Sequence, residues 1–317
     1  MTHQKKIIVL FYGTSSWTVP VLEALLIDEH FSVVGVVTQP DRPVGRHAEL
    51  QASPIKQAAA SHGLPVYQFE KVKNDEAYEV LKTISADVAV LASFGQIIPQ
   101  RVLDLYPHGI INVHPSLLPK YRGASPMIAP IKNRDKKTGV TVMKMDALMD
   151  HGPLLGQVEE MIQPDETASS LEKRLATLSA KMLPDLLLKY LKDEIKLQEQ
   201  DHTQATTVKL LSREDGKLDW NLTAEQLERT VRAYDPWPGT FMELDGKRLK
   251  ILKTHLGLST MLSPGTRFVL DDQPCMACAN GTALCLDQVQ LEGRSETSGQ
   301  EFIRGYQNFS HDESENT

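Results

Sequence analysis

The sequence predicts an α/β protein in which a doubly wound, mostly parallel sheet is followed by a smaller antiparallel β-barrel domain. Three apolar runs containing β-branched residues, at 7–11, 31–38 and 87–93, are typical of strands buried on both faces of a sheet. Segments with helical spacing separate these runs, as in parallel sheets whose strands are joined by helices. Toward the C-terminal end, short strands alternate with turn signals such as Asp245-Gly246, which is the spacing of a small barrel.

Length and composition narrow the function classes. The 317 residues suffice for two domains, and 41% apolar and 24% charged residues are ordinary for a soluble globular protein. No apolar run reaches the roughly 20 residues of a membrane helix, and the N-terminus does not resemble a signal peptide. Three cysteines indicate a reducing compartment, so we expect the cytoplasm. A net charge of −7 argues against a uniform basic field for nucleic acid but permits a local basic patch.

The first strand leads into a turn, G-T-S-S at 13–16, and then into a helix at 19–26 with Pro20 in its first turn. Because the turn is not G-x-G-x-x-G, a dinucleotide site is poorly supported. The following elements are predicted further along: helices at 54–62, 75–84 and 125–133, strands at 64–67, 139–145 and 157–162, and a helical region at 168–191 that Pro184 kinks or divides.

Residues 39–54, Q-P-D-R-P-V-G-R-H-A-E-L-Q-A-S-P, are predicted to form a long loop. Long loops within a domain are often functional, and Arg42 and Arg46 lie where a flexible loop could meet a phosphate. The alternative is a solvated surface loop, and Glu49 weakens any basic patch.

Two predicted strands end in stretches that could hold a ligand. After the strand at 87–93, Gly95 would allow a flat ligand to approach the backbone, because ligands of open α/β sheets bind beyond the strand ends. Ile97 and Ile98 could line such a site, although packing in the core is an equally strong interpretation.

The second stretch is I-I-N-V-H-P-S-L-L-P-K-Y-R-G, residues 110–123. Asn112 and His114 are two residues apart on a strand, so both side chains point to the same face. Pro115 ends the strand, and Arg122 lies in the loop that follows. If Asn-x-His stood alone, we would interpret the two residues as ordinary polar groups that cap a strand end. The whole fourteen-residue string favours a functional site instead.

A third candidate segment, D-A-L-M-D-H-G-P, follows the strand at 139–145 and contains Asp146 and Asp150. Asn112 could donate a hydrogen bond to an oxygen that gains charge in a tetrahedral intermediate, and His114 could move a proton. Asp150 could orient the imidazole, keep it cationic or hold a water. Ser116 is not in a G-x-S-x-G elbow, so we predict direct transfer to an amine without a covalent acyl-enzyme.

The remaining chain divides into a linker and a second domain. We predict a first domain at 1–191, a polar interdomain linker at 192–208, and a second domain at 209–317 with a disordered tail at 308–317. Thr223 and Gln226 form a capping box, so residues 224–234 should be a helix. Lys247, Arg248, Lys250 and Lys253 follow one predicted strand, where they could contact a nucleic-acid backbone or simply solvate the surface.

The string I-N-V-H-P-S-L-L-P-K-Y-R-G resembles the signature of the 10-formyltetrahydrofolate-dependent formyltransferases. The strings F-Y-G-T-S-S-W-T-V-P, T-Q-P-D-R-P-V-G-R, E-D-G-K-L-D-W and D-P-W-P-G are similar to other parts of that family. So is V-Q-L-E-G-R-S-E-T-S-G-Q-E-F-I-R-G-Y near the C-terminus. The likeness covers nearly the whole chain and is strongest to the members that act on initiator methionyl-tRNA.

The resemblance implies catalytic roles for Asn112, His114 and Asp150, 10-formyltetrahydrofolate as formyl donor, and an OB-like second domain. It implies transfer to the amino group of methionine on initiator tRNA, with no membrane partner; we expect a monomer and no metal. The implied folate contacts are Phe94, Gly95, Gln96, Ile97, Ile98, Ser116, Leu117, Leu118, Pro119 and Asp146. The expected tRNA contacts are Arg42, Arg46, Lys247, Arg248 and Lys250.

The chain departs from this family's pattern at Pro115, at 151–153 and at 47–49, where His-Ala-Glu replaces lysines and weakens phosphate contact. The cysteines Cys275, Cys278 and Cys285 have metal-like spacing without a fourth ligand, so we interpret them as small barrel residues. Two rival classes of function stay open. The first is another enzyme of this kind, either a formyltransferase acting on a nucleotide-linked amino sugar or a formyltetrahydrofolate hydrolase. The second is a non-catalytic protein that binds folate or RNA.

Overall fold

The computed structural model describes residues 5–44 and 49–310, which divide into two compact units. The first unit contains the chain up to Pro126, then Lys137–Met161 and Glu172–Lys209; the second contains Met127–Lys136, Ile162–Leu171 and the chain from Leu210. The units are therefore not contiguous in sequence, which differs from the simple boundaries predicted. None of the helices in the described part of the chain combines the length and apolarity needed to cross a bilayer.

The first unit is built from strands and helices that alternate along the chain. Its elements are β1 Ile7–Gly13, α1 Val19–Ile27, β2 Phe31–Thr38, β3 Arg42–Val44, β4 Glu49–Gln51, α2 Pro54–Ser61, β5 Val66–Gln68, α3 Asp75–Leu81, β6 Val88–Ala92, α4 Gln100–Leu103, β7 Ile110–His114, β8 Arg122–Gly123, α5 Ile128–Lys132 (assigned to the second unit), β9 Lys137–Lys144, β10 Leu154–Met161, α6 Ala168–Leu191 (in the first unit from Glu172) and β11 Thr207–Val208.

Seven of these strands form one sheet in the order β10-β9-β7-β6-β1-β2-β5. The five strands from β7 to β5 are parallel, while β9 and β10 are antiparallel to their neighbours. The chain moves outward from β1 in one direction through β2 and β5, and in the other through β6 and β7. The reversal beside β1 creates the crevice at the strand ends where ligands of α/β sheets bind. The predicted α/β fold with a mostly parallel sheet is confirmed.

The second unit is centred on a curled antiparallel sheet. Its further elements are α7 Ala224–Ala233, β12 Thr240–Leu244, β13 Lys247–Leu256, β14 Arg267–Leu270, β15 Gln273–Ala277, β16 Ala283–Leu291, β17 Thr297–Ser298 and α8 Gly299–Gly305. The sheet order is β12-β13-β16-β15-β14, with β17 paired to β16. The predicted capping box is confirmed, because the Thr223 and Gln226 side chains each bond the other residue's backbone N–H. The OB-like character of this domain is likewise confirmed.

Two local predictions were wrong. Residues 192–208 are not a separate linker: they belong to the first unit, where Gln198 pairs with Leu154 and β11 pairs with β8. The predicted loop at 39–54 contains the short hairpin β3–β4. The linker was predicted from polar composition and the loop from its prolines and Gly45, and neither signal reports which backbone groups pair in the folded chain. The helical region predicted at 168–191 is confirmed as the single helix α6, and Pro184 lies within it without dividing it.

Two further differences concern the second unit. The tail was expected to be disordered from Asn308, but Phe309 is fully buried in the core of this unit. Phe309 thus packs the described chain end into this core, whereas residues 311–317 lie outside the described residues. Cys275 and Cys285 face each other across β15 and β16 and form a disulfide, while Cys278 is a buried free thiol.

Candidate active site

The site is organised around β7, which lies inside the sheet between β6 and β9. Asn112 is paired with Leu91 on one side and Met143 on the other, and His114 is paired with Thr141. Because alternate residues of a strand share a face, the Asn112 and His114 side chains lie together, as the sequence predicted. Each residue is only 5% exposed, so both polar groups act in a poorly solvated environment.

The loop between β9 and β10 brings Asp150 to these two side chains. Its Oδ1 accepts a hydrogen bond from Asn112 Nδ2 at 3.1 Å and lies 3.6 Å from His114 Nδ1. Its Oδ2 accepts the backbone N–H of Gly123 at 2.8 Å. Asn112, His114 and Asp150 therefore form one cluster, although they are up to 38 residues apart in the chain.

The tautomer of His114 follows from its other contact. His114 Nε2 is 3.0 Å from the backbone carbonyl oxygen of Tyr121, and a carbonyl can only accept. Nε2 therefore carries a proton, and Nδ1 is the nitrogen that faces Asp150 and is free to exchange one. A carboxylate beside Nδ1 stabilises the imidazolium that forms when Nδ1 is protonated.

Two glycines allow the loops to approach this closely. A Cβ on Gly123 would lie 2.4 Å from the carbonyl oxygen of Val208, and one on Gly152 would lie 2.0 Å from that of Lys144. Both distances are far inside van der Waals contact, so side chains there would displace the backbone around Asp150. Neither residue was among the predicted site residues, because a lone glycine in a loop gives no sequence signal of close approach.

The loop after β7 is held by its own polar groups. Ser116 is fully buried, and its hydroxyl donates to the Lys120 carbonyl oxygen at 2.7 Å. The Leu118 N–H donates to Thr141 Oγ1 at 3.1 Å, and Gln157 Nε2 donates to the Leu118 carbonyl oxygen at 2.7 Å. The buried Ser116 hydroxyl is thus unsuited to attack a substrate, in agreement with the sequence interpretation.

The stretch after β6 lies beside the crevice at β1. The Phe94 ring is buried against Tyr12, so its side chain supports the core. The Gln96 side chain accepts a hydrogen bond from the Val72 N–H at 2.6 Å and donates one to the Phe69 carbonyl oxygen. Both ends of its amide group are therefore hydrogen-bonded within the protein. Ile98 is buried, which favours the core interpretation, whereas Ile97 is 84% exposed.

The other predicted folate contacts differ in accessibility. Gly95 is exposed at positive φ, Leu117 and Pro119 are partly exposed, and Leu118 is buried. Asp146 accepts a hydrogen bond from the Leu148 N–H and lies 2.6 Å from His151 Nδ1. Among the predicted folate contacts, Gly95 and Ile97 are therefore the most exposed.

The predicted basic contacts are distributed over both units. In the first unit, Arg42 on β3 pairs with Glu70 at 3.0 Å, while Arg46 lies outside the described residues. In the second unit, Lys247 and Lys250 are exposed on β13, and Arg248 pairs with Glu214 at 3.0 Å. The Arg248 guanidinium also lies 3.8 Å from the centre of the Phe241 ring.

The chain matches two family models in succession. Residues 5–187 match the model described as formyl transferase, and residues 210–307 match the model of the formyl transferase C-terminal domain. The solved N-formyltransferase from Helicobacter canadensis, in complex with folinic acid and dTDP-3-aminofucose, has a TM-score of 0.67 to this chain at 19% identity, covering 88% of this chain and 98% of that one. The fold and the polar cluster thus define a two-domain formyl transferase.

Similar proteins of known name identify the subgroup of formyl transferases to which this chain belongs. A methionyl-tRNA formyltransferase of Roseiflexus sp. (strain RS-1) is 42% identical over 94% of this chain and 92% of the relative. One of Geobacter metallireducens is 38% identical over 94% of this chain and 95% of the relative. The chain belongs to the methionyl-tRNA formyltransferase family.

Proposed function

We propose that this chain transfers the formyl group of 10-formyltetrahydrofolate to the amino group of methionine on initiator methionyl-tRNA, for translation initiation in the cytoplasm. The observation that carries the proposal is the buried cluster of Asn112, His114 and Asp150 at the C-terminal end of β7 in a formyl transferase fold. Close relatives named methionyl-tRNA formyltransferase support the tRNA substrate.

Asn112 would stabilise charge. A carboxylate oxygen can only accept, so the amide nitrogen of Asn112 must face Asp150, where it uses one of its two protons. The second proton is available for the formyl oxygen as that oxygen becomes negative during attack by the amine. Since Asn112 is held before the substrate binds, little reorganisation accompanies the reaction.

His114 and Asp150 would manage the proton that the attacking amine must lose. His114 Nδ1 can accept this proton while Nε2 keeps its hydrogen bond to Tyr121, so the ring need not rotate. Asp150 would stabilise the resulting imidazolium across the 3.6 Å separation, which can shorten when the charge appears. The imidazolium can then return the proton to the departing nitrogen.

The folate would supply the formyl carbon, and its departing nitrogen would receive the proton that the His114 imidazolium returns. The residues after β6 fit a flat, partly apolar group, because Ile97 is a large apolar side chain left 84% exposed beside the open backbone of Gly95. Leu117 and Pro119 would contribute from the loop after β7, and Asp146 from the loop before Asp150. Phe94, Gln96, Ile98, Ser116 and Leu118 would act by shaping this surface, since their side chains are buried or already bonded.

The tRNA would be held by basic side chains that remain accessible. Lys247 and Lys250 on β13 are exposed and would contact phosphates without reading sequence. Arg42 would exchange its exposed pairing with Glu70 for a phosphate, at little cost because exposed ion pairs are weak. Arg46 belongs to the same proposal from the sequence, and Arg248 would contribute less because Glu214 already pairs with it.

The experiment compares acceptors with the purified protein and 10-formyltetrahydrofolate. We expect transfer to charged initiator methionyl-tRNA, much slower transfer to charged elongator methionyl-tRNA, and none to a nucleotide-linked amino sugar. Transfer to the amino sugar but to neither tRNA would reject the proposal in favour of a sugar formyltransferase. Folate binding without transfer to any acceptor would instead indicate a non-catalytic relative.

A further inference from the structure

Gln200 lies against the backbone of Asp150, although it belongs to a polar segment with no recognisable motif. It is only 6% exposed. Its Nε2 donates to the carbonyl oxygens of Asp150, at 3.0 Å, and Gly152, at 2.8 Å, and its Oε1 accepts from Arg122 Nη2 at 2.7 Å. The orientation of this amide is fixed, because a guanidinium can only donate and a carbonyl can only accept.

The backbone that Gln200 holds is strained. Asp150 has a φ of +48°, a left-handed conformation that is uncommon for a residue with a side chain and persists where neighbouring groups impose it. By bonding the carbonyls of both Asp150 and Gly152 with one amide group, Gln200 fixes the turn that aims the Asp150 carboxylate at Asn112 and His114.

The Gln200 amide is also connected, through Arg122, to the segment that bonds the Asp150 carboxylate. Arg122 is 8% exposed, and its Nη2 also lies 2.8 Å from His202 Nδ1. The next residue, Gly123, donates its N–H to Asp150 Oδ2. Gln200 therefore bonds the carbonyl oxygen of Asp150 directly. Through Arg122 it is also connected to Gly123, the residue that bonds the Asp150 carboxylate.

We propose that Gln200 is a positioning residue that acts through Asp150, setting the carboxylate against Asn112 and His114. This inference rests on the proposed formyl transfer. It predicts that loss of the two Gln200 N–H donors slows the chemical step while leaving substrate binding nearly unchanged, because Gln200 lies behind the carboxylate.

The test is Gln200→Glu, which keeps the size of the side chain and an acceptor for Arg122 but places a carboxylate oxygen against two carbonyl oxygens. We expect kcat for methionyl-tRNA formylation to fall about 10- to 100-fold, the range for a misplaced catalytic group, with KM for both substrates within about twofold. The matched control is Gln198→Glu, the same change on an exposed side chain two residues away, which should retain wild-type kcat. If Gln200→Glu does not unfold cooperatively, Gln200→Met replaces it with the same expectation.

A second comparison separates positioning from a general structural effect. In an Asp150→Asn background, Gln200→Glu should change the residual single-turnover rate by less than about threefold, because residues that act through one another are not additive. Equal losses in both backgrounds, or a wild-type kcat in Gln200→Glu, would overturn the positioning role. Failure of the wild-type protein to formylate any tRNA would instead reject the proposed function, so the two failures are distinguishable.

Discussion

Asn112 and Asp150 are joined side chain to side chain, with Asn112 Nδ2 donating to Asp150 Oδ1 at 3.1 Å. This bond fixes the orientation of an amide whose oxygen and nitrogen are otherwise hard to distinguish. It also couples the proposed oxyanion donor to the carboxylate that supports His114, so displacement of either residue would disturb both functions.

Replacing Asn112 with alanine should lower kcat about 100- to 1,000-fold, the usual cost of removing one oxyanion donor. The KM for methionyl-tRNA should change little, because the lost hydrogen bond forms during the reaction. Steady-state formylation kinetics measure both constants.

Asn221→Ala is the matched control for this substitution. Asn221 donates its amide to Asp219 at 2.9 Å on an exposed surface, so the chemistry of the pair is the same but its location differs. Equal losses in the two variants would exclude a specific role for Asn112.

His114→Ala and Asp150→Ala should each reduce formylation by about 100- to 10,000-fold, the range for lost general acid–base catalysis. Both variants should keep a wild-type circular dichroism spectrum. The control is His30→Ala, since His30 forms a 2.8 Å contact with Asp28 and takes no part in the cluster. A normal turnover number in either the His114 or the Asp150 variant would contradict the proposed proton path.

The cluster could be predicted in part from sequence because its members lie at strand ends. Alternation along β7 placed Asn112 and His114 on one face. Asp150 was a candidate because it follows the end of another strand, and resemblance to a known signature supported it. The distances could not be predicted, because they depend on close backbone approaches at Gly123, to Val208 far along the chain, and at Gly152, to Lys144 across its own loop.

Gln200 and Phe309 show why other features were missed. Each lies in a short polar stretch with no periodicity, and each is buried by a contact that only the folded chain creates. The amino-acid composition of a segment indicates only its average environment. It therefore does not reveal a single buried residue among polar neighbours. Resemblance alone could not show that the Gln96 and Ser116 side chains are hydrogen-bonded within the protein, to the carbonyl oxygens of Phe69 and Lys120.

The bond between Cys275 and Cys285 predicts a specific thiol count. Alkylation of the denatured, unreduced protein should label Cys278 alone, and reduction should raise the count to three, as mass spectrometry would show. Replacing both bonded cysteines with alanine should lower the free energy of unfolding by roughly 2–3 kcal/mol, the entropy that a loop of about ten residues loses on closure. Three labelled thiols before reduction would contradict the disulfide.

Phe309→Ala should destabilise the second unit, because the ring is fully buried and packs edge-on against Phe302. Removing a buried phenylalanine costs about 3–5 kcal/mol, partly through the cavity that remains. Urea unfolding followed by circular dichroism would measure this loss, with Leu258→Ala, at a 71% exposed position in the same unit, as the control. Equal stabilities for the two variants would show that the chain end does not contribute to the core. A lower stability of Phe309→Ala than of Leu258→Ala would show that Phe309 packs the C-terminal segment onto the core of this unit.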